Sequence, residues 1–176
     1  MNLEFSTTIT PEDLKHFEYA LGYHELGMSQ DALDEINLIS SSYETELPVL
    51  LHKAQVLNSL QRYTETVLLF GPVIKIVGQH PQFLILLAYA TRRAESIDAA
   101  YAILARAVES FPKEPLIQYN FACYCAQKGD VESAIIYLKR SIVLDKTFAL
   151  MALTDHDFDP IRLAESFVTL ITTNHK

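Results

Sequence analysis

Residues 81–114 read PQFLILLAYATRRAESIDAAYAILARAVESFPKE, and the fold is decided by how that stretch is read. Apolar residues recur at helical spacing over 81–94 and again over 97–111, which predicts two helices. Pro81 stands at the first position of the earlier one, where a missing N–H costs nothing. Ala88 and Ala100 are small, and Leu104 lies one helical turn beyond Ala100. A helix that is approached closely by its neighbour needs a small residue at the crossing point and a bulky one a turn away to fill the groove. The two helices are therefore expected to pack as a pair.

Working outward, Ala88 is one of four alanines, Ala20, Ala54, Ala88 and Ala122, spaced 34 residues apart. Twelve residues after each stand Ala32, Thr66, Ala100 and Ala134, and four further on Ile36, Phe70, Leu104 and Leu138. A period of this length is the mark of stacked helical hairpins, each burying its apolar face against the next. The predicted helices run over 11–26 and 29–40, 48–60 and 63–77, 81–94 and 97–111, then 115–128 and 131–144. Thr10 reads as the N-cap of the first, with Pro11 behind it and acids in the first turn. Pro72 falls nine residues into the helix at 63–77. It has no N–H for the carbonyl of Leu68, so a kink is expected beside Gly71.

These residues resemble the tetratricopeptide repeat, which has a small residue in its first helix, alanine and then a large apolar residue in its second, and often proline near its end. The copy from Pro81 to Glu114 matches best, through Leu87, Ala88, Ala100, Leu104, Ala107 and Pro112. The copy from Pro115 to Phe148 carries Phe121, Ala122, Gly129, Ala134 and Leu138. That from Asp13 to Glu46 carries Ala20, Tyr23, Gly27, Ala32 and Ile36. The copy from Leu47 to His80 departs most, with Lys53, Thr66, Gly71 and Pro72. The resemblance implies an all-α, right-handed superhelical solenoid of antiparallel helix hairpins. Four repeats at 13–46, 47–80, 81–114 and 115–148 would form one domain, with a lead-in over 1–12 and capping helices over 149–176. In the closing stretch Asp159 is expected to cap a last helix beginning at Pro160, with Leu163, Phe167, Leu170 and Ile171 on one face. Two places are open to that helix: the end of the stack or the groove.

Composition and charge exclude several functions. The chain has 49% hydrophobic residues, a formal net charge of −8 and only two cysteines, Cys123 and Cys125, whose spacing on a helix disfavours a bridge. No apolar run of about 18 residues or more exists to span a bilayer. The opening Met1-Asn2-Leu3-Glu4-Phe5 has no leader pattern, so a cytosolic protein with no membrane insertion is expected. Residues 1–46 hold ten acidic side chains and one basic, Lys15, leaving the rest close to neutral. With no clustered Lys/Arg stripe, nucleic acid is not an expected partner. The acidic end reads as a solvated cap or a docking face for a basic partner. The six histidines form no metal-type pair, there is no phosphate loop or nucleophile elbow, and Asp155, Asp157 and Asp159 lack the glycine and glutamate of a calcium loop. No enzyme activity, metal or cofactor is expected.

The family resemblance implies that the first helix of each repeat lines a groove. Residue by residue, that places Phe17, Leu21 and His24 of the first copy there, with Leu51, Gln55 and Asn58 of the second. The third contributes Ile85, Tyr89, Arg92 and Arg93, and the fourth Tyr119 and Cys123. The Lys/Asn/Arg clamp by which chaperone-docking members hold a terminal carboxylate is absent. An apolar wall instead suits an extended peptide or helix of a partner, as in the tetratricopeptide chaperones of bacterial type III secretion, with Arg92 and Arg93 setting its direction. The expected function is thus a non-catalytic interaction module, adaptor or chaperone-like. A self-assembling scaffold, or a helical accessory subunit of an enzyme or secretion complex, is the alternative.

Overall fold

The structure, a computed structural model, describes residues 4–174; Met1–Leu3 and His175 of the sequence reading lie outside the described residues. Those described are helical or irregular, with no strand among them. They divide into two compact units, Met1–Glu95 and Ser96–Lys176.

The first unit contains α1 (Pro11–Glu25), α2 (Ser29–Ile36), α3 (Leu47–Ser59), α4 (Tyr63–Phe70), α5 (Ile74–Val77) and α6 (Pro81–Ala94). Thr10 caps α1 as expected, its hydroxyl accepting from the Asp13 N–H at 3.1 Å, and Pro11 follows at the first position. Gly27 ends the α1 turn with φ +76°, and the Met28 N–H donates to the Tyr23 carbonyl at 2.8 Å. Gln61, 34 residues later, repeats this left-handed turn at φ 58°, with the Arg62 N–H on the Leu57 carbonyl at 2.8 Å. Ala20, Ala54 and Ala88 are fully buried, as are Ala32 and Thr66, while Ile36 and Phe70 fill the positions beside them. The repeat is thus a packing period.

Two departures in this unit have local causes. The helix expected over 63–77 is interrupted, not merely kinked: α4 stops at Phe70 and α5 restarts at Ile74. Pro72 offers no N–H, and the Val73 N–H turns back to the Phe70 carbonyl at 3.2 Å. Phe70 and Val77 remain fully buried on either side of the break. Likewise α2 ends at Ile36 instead of 40, followed by a 3-10 turn at Ser41–Tyr43. Buried Glu46 ties the lead-in down, accepting from the Ser6 N–H and hydroxyl at 2.7 Å each and from the Thr7 hydroxyl at 2.9 Å. Burial raises its pKa, but these hydrogen bonds outweigh it and the carboxyl sits below its ordinary value.

The second unit contains α7 (Ile97–Ser110), α8 (Pro115–Gln127), α9 (Val131–Leu144), α10 (Thr147–Thr154), a 3-10 segment His156–Ile161 and α11 (Glu165–Asn174). Gly129, at φ +76°, makes the turn already seen at Gly27 and Gln61, with the Asp130 N–H on the Cys125 carbonyl at 3.0 Å. Ala100, Ala122 and Ala134 are fully buried, and Leu104 and Leu138 flank them. Helix α8 packs on α7 and α9, while α11 lies against α9 and α10.

The closing stretch corrects the sequence reading. Asp155, not Asp159, is the cap, accepting from the Asp157 N–H at 2.9 Å, and it caps the 3-10 segment, with Pro160 inside that segment. Asp159 instead accepts from the Arg162 Nε–H at 2.8 Å and pairs with His156 Nδ1 at 3.0 Å. The last helix begins at Glu165, so Phe167 and Ile171 are buried while Leu163 is 95% exposed. Phe158 and Ile161 explain the preference: three residues apart, they eclipse on one side of a 3-10 turn, and both are buried there.

Candidate functional site

In the first unit, residues three and four apart on α1, α3 and α6 share a face and converge on a cavity of about 610 Å³. Leu21, His24 and Glu25 come from α1, His52, Gln55, Asn58 and Ser59 from α3, and Leu86 and Tyr89 from α6. Such a volume suits a few side chains of a ligand, and the mixture of apolar and neutral polar groups suits a segment with both.

The polar lining is partly fixed. Asn58 Oδ1 accepts from the Thr66 hydroxyl at 2.9 Å, and its Nδ2 donates to the Leu86 carbonyl at 3.5 Å. Thr66 occupies an alanine slot of the repeat, so the same substitution that weakens the sequence match orients a cavity residue. His24 Nε2 lies 2.9 Å from the Ser59 hydroxyl, and its ring meets that of His52 edge-on at 5.2 Å. His52 is buried, and its Nε2 has no hydrogen-bond partner in the protein. Burial lowers its pKa, against the opposing pull of the Ala20 backbone and Gln55, so the neutral imidazole is favoured. At the α6 side the Tyr89 ring stands 5.8 Å from that of Tyr63, and the Arg93 guanidinium sits 5.4 Å over Tyr63. The hydrogen bond to Tyr63, then burial, raises the Tyr89 phenol.

Leu21, His24, Gln55, Asn58 and Tyr89 of the sequence reading are brought together here. Arg93 is exposed one turn beyond Tyr89, with Arg92 beside it partly buried. Phe17, Leu51 and Ile85 are half-buried and do not line the cavity; Phe17 packs edge-on against Phe5 at 5.3 Å and against His52 at 5.9 Å. One residue turns a helix by about 100°, so the neighbours His52 and Leu86 face the cavity in place of Leu51 and Ile85. Glu25 and Ser59 complete the set. The repeat spacing carried their signal, as they lie one turn past Leu21 and Gln55.

Tyr119 and Cys123 are a second correction. Each is only 3% exposed, because residues 155–161 lie over that face of α8. The Tyr119 hydroxyl donates to Asp155 Oδ2 at 2.8 Å, Gln127 Nε2 donates to the Asp157 carbonyl at 2.9 Å, and the Phe158 ring stands 5.6 Å from that of Tyr119. Helix α11 lies against α9 and α10, and the 3-10 segment lies on α8. Cys123 and Cys125 are not bridged, and burial, then Asp130, pushes the Cys125 thiol up to about 12, which leaves little thiolate for chemistry. A second, apolar cavity of about 390 Å³ in this unit is lined by Pro112, Ile136, Lys139, Arg140, Val143 and Leu144. No three potential metal ligands cluster among the described residues, and none of their helices is long and apolar enough to cross a membrane.

Paired helices joined by a left-handed turn that recurs at fixed phase, with small residues buried at each crossing, are found in solved proteins. A thermophilic tetratricopeptide-repeat protein of Thermus thermophilus, TTC0263, superposes with a TM-score of 0.71 over 93% of this chain and 88% of its own, at 11% identity. The fold is the tetratricopeptide-repeat fold. MamA from Desulfovibrio magneticus RS-1, residues 41 to the end, shares it with a TM-score of 0.68 and 15% identity, over 96% of this chain and 98% of that one. YrrB, described as a tetratricopeptide-repeat protein with an unusual peptide-binding site, matches with a TM-score of 0.64 and 16% identity, over 81% of this chain and 75% of its own. No family model matches the sequence. No curated protein matches it either. The cavity is lined by α1, α3 and α6, and the 3-10 segment 156–161 lies on α8.

Proposed function

We propose that the protein is a non-catalytic interaction module whose first unit receives an extended peptide or helix of a partner protein. The observation that carries this reading is the open cavity formed by Leu21, Gln55, Leu86 and Tyr89, where Leu21 and Tyr89 remain well exposed although the corresponding face of α8 is covered. Each apolar side chain seated there would contribute about 1.5–3 kcal/mol, so three or four would support micromolar binding after ordering costs. YrrB, whose description names a peptide-binding site, supports the reading by fold alone. Panning a displayed random-peptide library against the wild type, Leu21→Glu and Tyr89→Ala tests it, since both positions are exposed enough to change without unfolding. Peptides enriched on the wild type should be lost on both variants; an identical set on all three would refute the cavity.

A second reading, self-assembly, is favoured by exposed apolar residues of the second unit: Val143, 77% exposed, beside Leu144 on α9, and Leu150 and Met151 on α10. Light scattering over a range of concentrations separates the two: a constant monomer mass removes self-assembly.

A further inference from the structure

The 34-residue period places Cys123 and Gln127 of α8 in the same phase as Gln55 and Ser59 of α3, and as Tyr89 and Arg93 of α6. On α8 that face holds a segment of the chain itself, and the way it does so is explicit. A phenol, Tyr119, donates to a carboxylate, Asp155, a side-chain amide, Gln127, donates to a backbone carbonyl, and the Phe158 ring is fully buried beside them. The first unit presents the same kinds of group around an open cavity, with Tyr63 beside Tyr89. Tyr89, 44% exposed, supplies the phenol, Gln55 the amide, and Leu21 and Leu86 an apolar seat. In the Gln127 position stands Arg93, exposed, whose guanidinium carries several N–H donors in a fork suited to carboxylate.

We infer that the cavity of the first unit takes an acidic–aromatic peptide segment, an aromatic ring flanked by aspartates, of the kind residues 154–161 lay over α8. The inference rests on the reading of this cavity as a peptide site. Charge fixes the direction of the guest. Residues 47–95 carry five basic side chains and two acidic, whereas residues 1–46 are strongly acidic, and Glu25 is the one acid in the cavity lining. The ligand's carboxylates therefore lie over α6, against Tyr89 and Arg93 and away from Glu25 on α1, and its ring lies between Leu21 and Leu86.

The probe is a fluorescein-labelled peptide of sequence TDHDFDPI, residues 154–161, titrated with the full chain and followed by anisotropy. Saturable binding is expected, weakened about ten-fold or more by Arg93→Glu or Tyr89→Ala in the protein, and by Asp→Asn or Phe→Ala in the peptide. The inference is overturned by no saturation up to about 1 mM, by affinity indifferent to Arg93→Glu, by preference for a peptide with lysines in place of the aspartates, or by loss through Gln127→Ala, which would place the probe on α8. Failure of this probe, with panned peptides still lost on Leu21→Glu and Tyr89→Ala, would leave the peptide site standing and remove only its acidic–aromatic preference.

Discussion

Tyr119→Phe and Asp155→Ala, alone and together, test whether the chain's end is held on α8 as the structure has it. The Tyr119 hydroxyl, on a residue 3% exposed, donates to Asp155 Oδ2 at 2.8 Å, and Asp155 Oδ1 accepts from the Asp157 N–H at 2.9 Å. Tyr119→Phe removes one hydrogen bond to a charged group but leaves Asp155 its other partner, so the cost should fall at the low end of the usual range, about 1.5 kcal/mol. Asp155→Ala removes the cap, worth about 0.5–2 kcal/mol, and also orphans a buried phenol, worth about 1–3 kcal/mol more. Its expected cost is about 1.5–5 kcal/mol. With the carboxylate gone, the phenol is only a liability, so Tyr119→Phe should become neutral or stabilising in that background. Urea unfolding followed by far-ultraviolet circular dichroism gives all four stabilities. If Tyr119→Phe costs the same in both backgrounds, the two side chains do not meet and the covered face of α8 is wrong.

Because burial depresses the His52 pKa below 6.5, the unfolded chain takes up the proton first; this contribution is fully present above pH 6.5 and is lost as pH falls from there towards the folded value, and His52→Gln should flatten that part of a stability–pH profile. Gln61 holds φ 58° where the equivalent turns use glycine, so Gln61→Gly should stabilise or be neutral while Gly129→Ala costs about 1 kcal/mol, both read by thermal unfolding. Ala88→Leu adds three carbons at a crossing point with no exposed surface and should cost about 1–3 kcal/mol or more, whereas a tolerated leucine would show that α6 is not packed there.

Much of the fold was legible because packing constraints repeat. The four alanines and their partners at 32, 66, 100 and 134 mark crossings, and all eight are fully buried. The turn at Gly27, Gln61 and Gly129 was legible as a position but not as a conformation, since glutamine gives no warning of a left-handed φ. The candidate cavity was half legible: Leu21, His24, Gln55, Asn58 and Tyr89 line it but Leu51 and Ile85 do not, because a period locates a helix face only to within a residue or so. Pro72 announced trouble in its helix, while the extent of the break depended on how firmly Phe70 and Val77 are anchored around it.

Local spacing and side-chain volume therefore determined the hairpins, their capping and their small-against-large contacts, for those are set by residues close in sequence and repeated in phase. Which inner faces stay open was decided only by tertiary structure. Tyr119 and Tyr89 look alike in the sequence, yet one lies beneath Phe158 and Asp155 and the other faces a cavity. The difference comes from a segment some 36 residues away from Tyr119, in which Asp155 accepts from the Tyr119 hydroxyl, the Phe158 ring packs on that of Tyr119, and Phe158 and Ile161 are both buried.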